Sequence, residues 1–112
     1  MSEMFLSPDE QRRYLANIGN SKPGVERLKY VNVLAPFVEA MQTEMGAQLL
    51  REDIERHSTL VNKIYNDIID NGQVEQKDAI ELRLIQDRLK LISTRLKAFN
   101  VGVKMVKKIA SE

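Results

Sequence analysis

Apolar residues return every three and four positions through most of this chain. The longest run is Leu82, Ile85, Leu89, Ile92, Leu96, Phe99, Val103 and Val106, spaced 3-4-3-4-3-4-3. That spacing keeps every member on one side of an α-helix, and it is the heptad pattern of helices that pack side by side. A second run, Ala47, Leu50, Ile54, His57, Val61, Ile64 and Ile68, repeats 3-4-3-4-3-4. Between the two runs, Asp70-Asn71-Gly72 offers a turn and a glycine for a helix C-cap. So short a link makes antiparallel neighbours of the helices it joins. The pattern predicts a long, coiled-coil-like antiparallel helical hairpin over residues 37–110, with its turn near 70–73.

Ahead of it, Ser7-Pro8-Asp9-Glu10 reads as a capping box with proline at the first helical position. It predicts a short helix over about 8–18, ended by Gly19 and followed by a loop through Gly24. Val25, Leu28, Val31 and Leu34 share one face of a second short helix, from Val25 to Ala35. Pro36 lacks the N–H that would bond back to Asn32, so a kink near Ala35 is expected, with a long helix running on from Phe37. The expected fold class is all-α: one domain over 1–112, with two short N-terminal helices in residues 8–35 and the hairpin after them.

Beside the main run lies a second line, Leu84, Leu91, Ala98 and Met105, spaced by seven. The apolar face is therefore too wide for one antiparallel partner to cover. These four are the expected interface residues, for a homo-oligomer or a partner helix. Cover by the N-terminal helices is the intramolecular alternative. Gly102, four residues beyond Ala98, allows a close helix crossing.

Charge changes the picture further. The formal net charge is only +1, but Arg88, Lys90, Arg95, Lys97, Lys104, Lys107 and Lys108 follow one another with no acid between them. The preceding long helix is mostly acidic. An acidic helix beside a basic one sets hairpin pairing. The same seven residues are also the candidate nucleic-acid-binding set. In outline, a hairpin of this kind resembles the small terminase subunits of tailed phages, which oligomerise through helical hairpins and engage DNA. No sequence motif carries that resemblance, so no residue of that family is assigned to a position here.

The chemistry of a catalytic site is missing. There is no cysteine, so thiolate catalysis and disulfides are excluded. His57 is the single histidine; with Asp53 one turn away it falls short of the three or four protein ligands zinc takes. It is expected to be packed or hydrogen-bonded. Glu52, Asp53 and Glu55 read as a solvated helix face. No phosphate loop, nucleophile elbow or calcium loop is present. Catalytic, cofactor-binding and metal residues are expected to be none, with no small-molecule substrate. Met1–Leu6 carries no basic start followed by an apolar core, and no apolar run approaches the ~20 residues of a membrane helix. The expectation is a cytoplasmic, non-enzymatic assembly protein, probed against one alternative, a nucleic-acid-binding oligomer.

Overall fold

The computed structural model describes residues 4–112, which form four α-helices and no strand. They are α1 (Pro8–Ile18), α2 (Lys22–Met41), α3 (Glu44–Asn71) and α4 (Gln76–Ala110). The fold is all-α. No helix among the described residues is long and apolar enough to cross a membrane.

The start of α1 forms as its sequence dictates. The Ser7 hydroxyl accepts from the Glu10 N–H at 3.1 Å, and the Glu10 carboxylate accepts from the Ser7 N–H at 2.9 Å. Gly19 ends the helix at φ 60°, a conformation that glycine adopts without Cβ strain. Gly72 ends α3 in the left-handed helical conformation, at φ 68° and ψ 11°, with its N–H bonded to the Ile68 carbonyl at 2.9 Å.

The second helix departs from the sequence reading. It begins at Lys22 rather than Val25 and runs through Pro36 to Met41, so Ala35 is not its end and no long helix starts at Phe37. Val31 and Leu34 before the proline and Val38 after it are buried in one cluster. That packing holds the helix across the donor that Pro36 removes. The chain leaves the helix at residues 42–43. There the Thr43 hydroxyl accepts from the Gly46 N–H at 3.1 Å and caps α3.

The chain divides into two compact units. In the first, α1 and α2 pack on the Thr94–Glu112 part of α4. Val31, Leu34 and Val38 of α2 meet Phe99 and Val103 of α4, and the Phe5 ring lies 5.4 Å from that of Phe99. A neighbouring cluster joins Tyr14, Leu28, Val106 and Ala110. The buried Tyr14 hydroxyl donates to the Gly24 carbonyl at 2.7 Å, and the Asn17 amide donates to the Ile109 carbonyl at 2.7 Å. Gly102 faces Val31 so closely that a Cβ there would lie 2.5 Å from a Val31 methyl.

The second unit, Met41–Ser93, joins α3 to the first part of α4. Arg88 holds Asp53 through two hydrogen bonds of 3.0 and 2.8 Å. Arg56 holds Glu81 through two of 2.7 and 2.8 Å. Lys63 bonds to Asp78 and, at 3.0 Å, to Asp67. As residue numbers rise along α3, those of the α4 partners fall. Leu60 and Ile85 are the two large apolar side chains buried in this unit.

Candidate interaction surface

The second unit leaves much of its apolar surface open. On α3, Ile54, Val61 and Ile68 repeat every seven residues and are 52%, 41% and 51% exposed. Tyr65, one turn past Val61, is also exposed. The sequence pattern had assigned Ile54, Val61 and Ile68 to the hairpin seam. Instead α3 is turned so that Asp53, Leu60 and Lys63 meet α4. Opposite charges at positions whose numbers fall as their partners' rise were the signal that could have found this register. On α4, Ile80, Leu84 and Leu91 are exposed.

Of the four expected interface residues, Leu84 and Leu91 belong to this unit and are 55% and 48% exposed. Met105, in the first unit, is 41% exposed. Ala98, also in the first unit, is half-buried and packs against the Val31–Phe99 cluster, where α2 covers it.

The seven basic residues divide. Arg88 is tied to Asp53, the Arg95 guanidinium lies 4.9 Å from the centre of the Phe37 ring, and the Lys107 ammonium stands 3.8 Å from the Glu10 carboxylate. Lys90, Lys97, Lys104 and Lys108 are exposed, and among the described residues no acid pairs with them. They succeed one another at spacings of seven, seven and four along a single line of α4. The last three lie in the first unit.

The ion pairs set the charge states around α3. Hydrogen bonds from Arg88 hold the Asp53 carboxyl below the usual range, and those from Arg56 do the same for Glu81. Hydrogen bonds to Asp78 and Asp67 push the Lys63 ammonium up. Asp67, Glu75 and Asp78 gather within 4.8 Å of one another, but the Lys63 ammonium already stands among them and meets their charge.

A shallow cleft of about 400 Å³ opens between Leu49, Leu50, Asp53, Arg88 and Ile92. Three charged side chains line it, Glu52, Asp53 and Arg88, and the last two are bound to each other. His57 lies 3.4 Å from the Gln86 amide nitrogen and is half-buried against α4. What the arrangement does provide is apolar contact area and a line of cations. Compared with known proteins, the chain matches no family model, no curated sequence and no solved structure.

Proposed function

We propose that this is a non-enzymatic assembly protein, acting through an antiparallel hairpin of α3 and α4 that associates into an oligomer. One observation carries the reading: the Met41–Ser93 unit buries only Leu60 and Ile85 among its large apolar side chains, while Ile54, Tyr65, Ile68, Leu84 and Leu91 stay open. Two helices of this size form a marginal core on their own. Burying a large apolar side chain fully is worth about 1.5–3 kcal/mol, so covering several half-exposed ones recovers a useful part of a domain's stability. The falling order of the α4 partners, from Arg88 to Glu81 to Asp78, supports the antiparallel arrangement.

Leu91→Glu tests the reading. Leu91 is 48% exposed, so a charge there leaves the monomer folded and disrupts only a surface that association covers. The expected result is a light-scattering mass that falls toward 12.9 kDa, with the helical circular dichroism signal unchanged. Collapse of the helical signal would instead place Leu91 in the core, and an unchanged oligomer mass would clear it of any interface.

A second reading, polyanion binding, is favoured by the unpaired line of Lys97, Lys104 and Lys108. Each phosphate contact contributes a slope of about −0.9 to a plot of log affinity against log salt. Lys97→Gln with Lys104→Gln is therefore expected to flatten the slope for duplex DNA by about 2. Absence of binding at low salt, or a slope that the double variant leaves alone, removes this reading.

A further inference from the structure

We propose that the Met41–Ser93 unit is a two-position device: α3 turns about its own axis between the packing described above and a second, more apolar one, and ion pairs to α4 hold the first. The inference goes beyond assembly and concerns this unit alone.

The third helix carries two complete heptad seams that share one line. Leu50, His57 and Ile64 are half-buried and form that line. The seam in use completes it on one side with Asp53, Leu60 and Asp67. A second seam completes it on the other side with Ile54, Val61 and Ile68, all now exposed. Both have the alternating three- and four-residue spacing that packs one helix on another. Successive residues lie about 100° apart around a helix, so a turn of about 50° exchanges the seams without sliding.

Burial favours the second position. Where the seam in use has Asp53 and Asp67, the other has Ile54 and Ile68. Charge opposes the turn. Among the described residues, every ion pair between the two helices comes from the Asp53 side of the shared line: Asp53 with Arg88, Arg56 with Glu81, and Lys63 with Asp78. Turning Ile54 toward α4 carries Arg56 and Lys63 away from it and breaks these pairs. The first two are bidentate, and Asp78 of the third is buried. The other charges of the unit do not link the helices. Arg51 and Glu52 bond to Gln48 on α3 itself, Lys77 pairs with Glu75, and Arg83 pairs with Asp87. Glu44, Glu55, Asp70 and Lys90 are exposed and make no ion pair among the described residues. Loss of the three cross-helix pairs therefore withdraws the Ile54 row from the surface, and a partner seated on that row holds the first position.

The chain has no cysteine, so single cysteines read the turn. Leu60→Cys, Val61→Cys and Ile85→Cys are each made in the parent and in a background carrying Asp53→Asn, Asp78→Asn and Glu81→Gln, which removes one charge from each pair with little change of shape. Thiol labelling is timed at one pH, at a concentration where light scattering gives both backgrounds the same mass. In the parent, thiols at 60 and 85 are expected to label slowly, since Leu60 and Ile85 are 0% and 2% exposed. In the neutral background the thiol at 60 is expected to label at least about tenfold faster, as a buried position brought to the surface does. The thiol at 85 is expected to stay protected under the incoming row, and that at 61 to slow. Faster labelling at both 60 and 85 would show that the hairpin opens rather than turns. Unchanged rates would show a single seam. Either result overturns the inference, and neither bears on whether the parent assembles. If Leu60→Cys loses the helical circular dichroism signal, the surface position 61 decides: slower labelling in the neutral background supports the turn, and equal or faster labelling overturns it.

Discussion

Replacing Phe99 with alanine is expected to lower the unfolding free energy by about 3–5 kcal/mol, the usual cost of removing a buried aromatic ring. Phe99 is 1% exposed and sits where α2 and α4 meet. Its ring contacts the Val31, Leu34 and Val38 cluster and lies 5.4 Å from Phe5. Those neighbours belong to two different segments, and the β-branched valines among them move little to fill the space. The cost therefore includes a cavity as well as lost transfer energy. A protein of this size holds about 5–15 kcal/mol in all, so the variant is left near the edge of folding. Urea unfolding followed by circular dichroism measures it. A loss under about 1 kcal/mol would mean that this cluster is not the centre of the first unit.

Gly102→Ala is expected to destabilise, although alanine is the better helix former by about 1 kcal/mol. The added Cβ would lie 2.5 Å from a methyl of Val31, which is 1% exposed and has nowhere to retreat. Valine is also stiff at χ1, so rotation does not relieve the contact. Overpacking of this kind costs about 1–3 kcal/mol, enough to outweigh the gain in propensity. The decisive comparison adds Gly102→Ala to Val31→Ala. With the methyls gone, the alanine at 102 is expected to be neutral or stabilising in the same urea assay. Equal effects in both backgrounds would show that the close approach of α2 and α4 does not govern this position.

These two sites also mark what could be read from the sequence. The capping box at Ser7 and the glycine stop at Gly72 are local chemistry, and both form as the residues imply. Phe99, Val103 and Val106 were marked as inward by their spacing, and all three are buried. Gly102 was legible as a place for a close crossing, though not as the neighbour of Val31. The length of α2 was not legible, because Val31, Leu34 and Val38 hold the helix on both sides of Pro36, a tertiary effect. The rotation of α3 was likewise hidden. Its apolar residues spread over a wide face, and the ion pairs of Asp53, Arg56 and Lys63 with α4 select which part turns inward. Of the basic run, Arg95 and Lys107 are engaged by Phe37 and Glu10, partners far away in sequence. Periodicity along one helix contains none of that information.

The central claim is that the open apolar surface of the Met41–Ser93 unit is covered by association. The most direct test is the absolute mass of the parent protein in solution, by size-exclusion chromatography with light scattering over a wide range of concentration. The account predicts a multiple of 12.9 kDa that declines toward the monomer on dilution. A constant 12.9 kDa at every concentration would contradict it.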